Sequence, residues 1–559
     1  MSEQDVWVAG LNHGAHDSSA ALLRNGQLVA VVEQERFSRR KRAMDQPPVE
    51  ALEWCLNHAG ITLSDLSAIG LGSDHDVLAQ WLGLTPEERR TELDLDNPER
   101  LFPKSVFGAS ELPPVVPVRH HLAHAASAYW ASGYEESAVL VIDNRGEDES
   151  TTLAYATPDG IETLESYPIE HSLGLFYRIA TQYVGLYTKD GNAGKLMGLA
   201  SYGKPLYEVG LSHTPDGPRW KGVPSATTTG RALPPERTRQ LLAFLEEQAF
   251  PYTVGLKDDI FSYIDFAASV QTALEDTILG LLRDLKERTG SANLCLAGGV
   301  ALNCTANGRI AKEALFDNVY IQPMAHDAGC ALGAAYEATR EVAPQSFRPD
   351  VMDHALWGPE YGDDEILAAL DSRGLRGERL TPDELVSQVA SVIAQGGIVA
   401  WHQGRAEAGP RALGGRSLLG DPRHRSTLVR LNTIKKREMW RPLAPSVLAD
   451  SYEKYFDGTP NPFMIMAAEV RPEVRSLIPA VVHVDGSARP QAVTREANPR
   501  YAALLEAFAR ESGIPILVNT SFNTAGMPLV NRPEESVDTF LDTDIDVLAI
   551  GSFLVRRPQ

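Results

Sequence analysis

Cysteine is scarce. The 559 residues hold four (Cys55, Cys295, Cys304 and Cys330), and no two stand in Cys-x-x-Cys spacing. That excludes a disulfide framework and a zinc ribbon, and it suits a reducing cytoplasm. Long apolar runs are missing too: nothing approaches the length of a membrane span, and Met1 to Val8 lacks the basic-then-apolar order of a signal peptide. Cations are outnumbered, 52 Lys and Arg against 74 Asp and Glu, for a formal net charge of -22. General nucleic-acid binding relies on basic faces, so that class is disfavoured. The acidity serves solubility; a cationic small substrate is its other use. What is present is a globular chain too long for one core, and about two or three domains are expected.

The first half repeats one plan. Residues 6–11 predict a strand, a polar loop follows through His13, His16 and Asp17, and the apolar run 20–23 meets Asn25-Gly26 before residues 28–32 return. The same order recurs further on. A strand at 138–142 ends at Asp143, a polar loop spans 144–148, residues 153–155 follow, and the turn Pro158-Asp159-Gly160 leads into 161–164. Two independent hairpins have this look; so does the duplicated unit of the actin, hexokinase and Hsp70-type ATPase fold, whose loops face nucleotide phosphates. Helical patterns at 48–59 and 265–288 and a strand at 69–72 fit between and beyond them.

Three glycine-bearing stretches suit phosphate. In 189–203 glycines surround Lys195, which is a phosphate-contacting loop or a surface loop; it is not a Walker A pattern. The strand 294–297 ends in Gly298-Gly299, with Asn303 opening the next helix, an arrangement suited to phosphate or adenosine. A second such unit has its strand at 319–321, and Asp327 precedes an alanine-rich helix; there Asp327 reads first as an N-cap and second as a ligand.

The stretch His120-His121-Leu122-Ala123-His124 opens an alanine-rich run. If helical, it sets His120 and His124 on one face, one turn apart, the spacing of two imidazoles that share a metal ion. Asp143, at the end of a buried strand, supplies a carboxylate from a second element.

Beyond an irregular linker at 343–359, Thr381-Pro382-Asp383-Glu384 predicts a capped helix start, and residues 398–401 predict a strand. Cations then gather among glycines in an acidic chain: Arg405, Arg411 and Arg416, then Arg423, then Lys435, Lys436, Arg437 and Arg441. Arginine's planar fork suits phosphate and carboxylate, so an anion pocket is expected there rather than a solvated face. The strand end 517–523, with Asn519, Ser521 and Asn523, adds amides and hydroxyls for a small polar group.

These segments together resemble the NodU/CmcH-type O-carbamoyltransferases nearly end to end. The match rests on His16-Asp17, residues 35–41 (ERFSRRK), 120–128, 194–200 (GKLMGLA), 298–303 (GGVALN), 327–333 (DAGCALG), 409–414 (GPRALG) and 518–523 (VNTSFN). The resemblance implies an α/β chain of two domains. Residues 1–355 would be an actin-like (ASKHA) domain similar to tRNA threonylcarbamoyl-adenosine synthase, binding metal and nucleotide. Residues 356–559 would be a YrdC-like domain binding carbamoyl phosphate. It implies a site for iron(II) or another divalent metal at His120, His124, Asp143 and Asp327, which overrules the cap reading of Asp327. It implies nucleotide against Gly298, Gly299 and Asn303, with Lys195 nearby, and a general-base role for His16. Carbamoyl phosphate would lie on Arg411, Lys435, Arg441 and Ser521, with Arg416 and Asn519 in the same pocket. Ser201 stands where a proline is frequent and Gly415 where an asparagine is. The implied activity passes the carbamoyl group of carbamoyl phosphate, through an ATP-derived carbamoyl-adenylate, to a hydroxyl of a small natural product, as in antibiotic tailoring. ATP with Mg2+ is the co-substrate. No nucleic acid or membrane partner is expected, the location is cytoplasmic, and a homodimer is left open. The rival is a small-molecule kinase of the actin-like superfamily.

Overall fold

The computed structural model describes residues 5–14, 16–85, 88, 98–108, 111–187, 193–220 and 260–557. The chain forms two compact units, Met1–Glu35 with Arg42–Met352, and Arg36–Lys41 with Asp353–Gln559.

The first unit is built on two five-stranded sheets. In one, β1 (Trp7–Asn12), β2 (Ser19–Arg24) and β3 (Gln27–Glu33) form an antiparallel meander, and β4 (Ala68–Leu71) and β5 (Val115–Pro117) add in parallel beside β1, giving the order β3-β2-β1-β4-β5. Asn25 and Gly26 turn the hairpin with φ of 55° and 81°, the two left-handed positions an Asn-Gly pair accepts best. In the other, β6 (Ser137–Ile142), β7 (Glu149–Thr157) and β8 (Gly160–Pro168) repeat the meander. A small hairpin, β9 (Leu211–Thr214) with β10 (Gly217–Trp220), stands apart. Then β11 (Asn293–Ala297) and β12 (Asn318–Ile321) add in parallel beside β6, for the order β12-β11-β6-β7-β8. Both sheets share one topology, so the repeated hairpins are a true duplication.

Helix packing fixes the loops at the strand ends. The helix Cys330–Val342 lies against β1 and β4 so closely that a β-carbon at Gly10 would strike the Ala331 carbonyl and one at Gly70 the Ala334 carbonyl. A β-carbon at Gly333 would strike the Ala123 carbonyl of the helix His120–Ser132. These glycines let backbone meet backbone, and that is why the helix is rich in alanine. The predicted helices at 48–59 and 265–288 are present as Val49–Ala59 and Ile264–Thr289.

The second unit holds an eight-stranded mixed sheet of β13 (Glu378–Arg379), β14 (Val399–His402), β15 (Arg416–Gly420), β16 (Ala444–Leu448), β19 (Gln491–Val493), β20 (Ile516–Ser521), β21 (Val547–Ile550) and β22 (Phe553–Arg556). Its order is β13-β22-β21-β14-β15-β20-β16-β19, and β17 (Ala468–Glu469) with β18 (Ser487–Ala488) makes a separate ribbon. Side chains alternate between two cores. Ile398, Ala400 and Leu418 face one; Val399, Trp401 and Leu419 face the other with the helices Pro382–Ala394 and Pro499–Ser512. Burial on both faces explains why these strands read as continuous apolar runs rather than alternating ones. Segment 36–41 belongs to this unit: Arg36 is buried and donates to the Gly409 carbonyl at 2.8 Å, and Arg39 donates to the Leu529 carbonyl and pairs with Glu535. No helix among the described residues is long and apolar enough to cross a membrane.

Candidate functional site

The helix His120–Ser132 starts where a buried carboxylate receives it. Glu147 accepts from the His120 N–H at 3.0 and 3.1 Å, from the Asp74 N–H at 2.7 Å and from the Ser73 hydroxyl at 3.2 Å. A carboxylate on the exposed N–H groups of a first turn fixes that turn. His120 Nδ1 lies 3.0 Å from the Gly72 carbonyl, which only accepts, so Nδ1 carries the proton and Nε2 offers its lone pair. That atom is 3.8 Å from Asp143 Oδ2 and 3.9 Å from Asp327 Oδ1.

His124 stands one turn along, its ring centroid 4.6 Å from that of His120. It is wholly buried, and neither ring nitrogen has a hydrogen-bond partner. Leaving such a group unpaired costs about 1–3 kcal/mol, and an ion would remove that cost. Asp143 Oδ1 is fixed by the Gly299 N–H at 2.9 Å. One ligating atom from each of His120, His124, Asp143 and Asp327 lies within 4.8 Å of all the others. These residues fit a divalent ion of the kind that accepts imidazole and carboxylate, iron(II) among them. Burial above all holds His124 well below the ordinary imidazole range, in its ligand form. Burial also pushes the Asp327 carboxyl up, and the charge of Asp143 adds to it.

Asp327 is not a cap. The residue at the N-cap of the helix Cys330–Val342 is Gly329, with no side-chain cap bond, and Asp327 opens a short 3-10 turn whose carboxylate faces the histidines. Its Oδ2 lies 3.3 Å from His16 Nδ1, which also meets Asp17 Oδ2 at 3.0 Å and Arg42 Nη2 at 2.9 Å. His16 thus stands beside the cluster and shares a carboxylate with it. Arg42, which the sequence did not single out, pairs with Asp17 at 2.8 Å and supplies a cation to these acids.

The nucleotide candidates divide. Gly298, at φ 88°, lets the β11 end approach the Ile142 carbonyl closely, and the Gly299 N–H holds the carboxylate of Asp143 in place. The Asn303 side chain caps the helix Cys304–Glu313 through the Ala306 N–H and exchanges two 3.0 Å bonds with Gln271, which also accepts from the Tyr177 hydroxyl. Of the stretch 189–203, residues 189–192 lie outside the described residues. Lys195 rides on a helix, Gly194–Ala200, because Leu196, Leu199 and Ala200 make a buried stripe. Ser201 caps it at φ -66°, a value proline also takes.

In the second unit, the buried Lys435 ends the helix Arg425–Ile434. It donates to the Ser521 carbonyl, to Ser521 Oγ at 3.1 Å and to Asn523 at 3.0 and 2.6 Å. Burial, then the charges of Arg437, Arg441 and Lys41, push its ammonium well below the usual lysine range. Burial and Arg441 and Arg489 lower Arg437; burial outweighs Glu438 in lowering Arg441. Cations crowded until they depress one another call for an anion. Arg411, half-buried, lies in the loop between β14 and β15. Arg437 was among the cations gathered in the sequence and Lys41 lay in the 35–41 segment, but Arg489 was not singled out; only its positive charge in an acidic chain could have signalled it.

Two nominated residues serve the frame instead. Arg416 is fully buried, with its guanidinium on the carbonyls of Gln403, Gly404, Gly415 and Pro359. Asn519 is buried, and its amide donates to Ala412, Ser446 and Gln491, each at 3.0 Å. Glu407 moulds the same loop, one oxygen accepting from the N–H groups of Leu413, Gly415 and Arg416. A β-carbon at Gly415 would sit 2.7 Å from the Arg405 carbonyl, which accounts for glycine at that position.

Residues 8–336 match the family model described as Carbamoyltransferase N-terminus, and residues 390–557 that described as Carbamoyltransferase C-terminus. The chain belongs to the carbamoyltransferase family. Among its relatives, Nodulation protein NolNO of Sinorhizobium fredii is 37% identical over 560 residues, 97% of this chain and 79% of that protein. Nodulation protein U of Rhizobium tropici is 30% identical, covering 91% of this chain and 90% of the relative. Among solved structures, full-length HypF in the phosphate- and nucleotide-bound form aligns with TM-score 0.36 and 14% identity, over 62% of this chain and 57% of that one. The N-terminal carbamoyltransferase match takes in His16, His120, His124, Asp143 and Asp327; the C-terminal match takes in Arg411, Lys435, Arg441 and Ser521.

Proposed function

We propose that this carbamoyltransferase moves the carbamoyl group of carbamoyl phosphate, by way of an ATP-derived carbamoyl-adenylate, to a hydroxyl of a small natural product, an antibiotic scaffold being the class in view. The observation that carries this reading is the His120–His124–Asp143–Asp327 cluster, its first three members buried and both His124 nitrogens unpaired. A kinase of the same sheet topology leaves that cluster without a use.

In this reading the actin-like unit of duplicated sheets performs transfer and the YrdC-like unit performs activation. Lys435, Arg437 and Arg441, with Arg411, hold carbamoyl phosphate and stabilise the phosphate that departs. Water cleaves carbamoyl phosphate to carbamate and inorganic phosphate; a carbamate oxygen then attacks the α-phosphorus of MgATP, and pyrophosphate leaves as carbamoyl-adenylate forms. A divalent ion such as iron(II), bound by His120, His124, Asp143 and Asp327, would supply Lewis acidity toward a carbonyl or phosphate oxygen. The Asp17 and Asp327 carboxylates beside His16 Nδ1 only accept, so Nδ1 keeps a proton and Nε2 is the atom that takes the proton from the acceptor hydroxyl as its oxygen attacks the carbonyl and AMP leaves.

The test is nucleotide product analysis with ATP and carbamoyl phosphate, with and without iron(II). AMP and pyrophosphate formed only with carbamoyl phosphate support the reading. ADP formed regardless of carbamoyl phosphate overturns it in favour of the kinase.

A further inference from the structure

Cys330 is fully buried at the start of the helix Cys330–Val342, yet its nearest polar company is a histidine. Its Sγ lies 4.0 Å from His120 Nε2 and 3.9 Å from the His120 carbonyl. One atom from each of His120, His124 and Cys330 falls within 4.8 Å of the others, the same closeness that His120, His124, Asp143 and Asp327 show. We infer that Cys330 is an alternative ligand of the two-histidine pair, its thiolate joining His120 and His124 when a soft ion is offered. This inference rests on the reading of those histidines as metal ligands.

Several independent features support it. The fully buried His124 has two unpaired nitrogens, so this member of the pair lacks a partner that hydrogen bonding could have supplied. The sulfur cannot drift away: the helix that carries it is held against β1, β4 and the His120 helix by backbone contacts at Gly10, Gly70 and Gly333, and a β-carbon at Gly72 would lie 2.8 Å from that of Cys330. The separations suit an ion. Metal–sulfur bonds of about 2.3 Å and metal–nitrogen bonds of about 2.1 Å place tetrahedral ligand atoms roughly 3.6 Å apart, a short closure from 4.0 Å. The two donor sets also differ in chemistry. Asp143 and Asp327 with the histidines suit manganese or iron(II), whereas a thiolate with the same histidines suits zinc, cadmium or cobalt. Binding through sulfur breaks the S–H bond, forms the metal–sulfur bond and releases one proton to solvent for each ion bound.

The full-length chain, stripped of metal with a chelator, is titrated with cobalt(II), cadmium(II) and manganese(II). The native protein should show a near-ultraviolet thiolate-to-cobalt charge-transfer band that is absent from Cys330→Ser and Cys330→Ala. In Cys330→Ser, cadmium affinity should fall about tenfold or more while manganese affinity stays within about twofold. Unchanged far-ultraviolet circular dichroism and retained manganese binding show that the variant is folded. Cobalt bound with ligand-field bands alone, a charge-transfer band that survives in Cys330→Ser, or equal cadmium affinities overturns the inference while leaving the metal reading intact. No cobalt uptake by the native chain overturns both.

Discussion

His124 concentrates the chemistry of the first unit in one side chain. A buried imidazole without a partner is tolerated when its partner arrives from outside, so His124→Ala should lower divalent-ion affinity and carbamoyl transfer together by about a hundredfold or more. Metal content after dialysis and AMP release would check both, and full metal content in the variant would count against the site. Lys435 has a pH signature. Its folded pKa lies below the ordinary lysine value of about 10.4, so the empty pocket sheds the proton as pH rises through that lowered value. Bound phosphate opposes the loss, and carbamoyl phosphate affinity should therefore fall across this window. In the same window the unfolded chain binds more protons than the folded one, so the stability of the ligand-free protein gains from rising pH. Calorimetric titration from neutral to alkaline pH reads the affinity, and a flat profile would remove Lys435 from the binding charge. The His120/His124 pair was legible because helical spacing is a sequence property. Asp327 was legible only through the family resemblance, since taken alone a carboxylate before a helix reads as a cap until the opposite strand ends are in place. Arg416 and Asn519 misled for a related reason: burial among carbonyls and amides is a matter of tertiary packing, and composition showed only their polarity.

Elements carry the site as much as residues do. The hairpins were legible down to their Asn-Gly turn, because alternation and turn chemistry are local. Glu147 was invisible, although it seats the first turn of the His120 helix from a loop 27 residues away. Glu147→Gln sets a group that itself donates against the N–H groups of His120 and Asp74 and the Ser73 hydroxyl. A loss of about 1–3 kcal/mol is expected, with weaker ion binding as His120 shifts, readable by denaturant melts with and without metal. Gly333→Ala drives a methyl into the Ala123 carbonyl; overpacking of about 1–3 kcal/mol or more should follow, and the cobalt spectrum should change because both His124 and Cys330 ride on the helices pushed apart.

At the scale of the whole chain, the two units present different chemistry, and ligands should report on them separately. Hydrogen exchange should slow around 120–124, 143 and 327 on adding a divalent ion, and around 411–441 and 519–523 on adding carbamoyl phosphate. Protection of the first set by carbamoyl phosphate alone would contradict the assignment of activation to the second unit. The net charge of -22, read from composition, describes the exterior; the cation cluster at Lys435, Arg437 and Arg441 shows how little a summed charge says about one pocket.

The six residues 36–41 close on a consequence for ancestry and engineering. They are encoded amid the first unit but packed in the second, with Arg36 sealed against Gly409. A recombination event that exchanges everything after residue 352 between two relatives therefore inherits a mismatched plug. Homologous chimaeras should recover when these six codons travel with the downstream half, and breeding such enzymes for new acceptors calls for two crossover points rather than one.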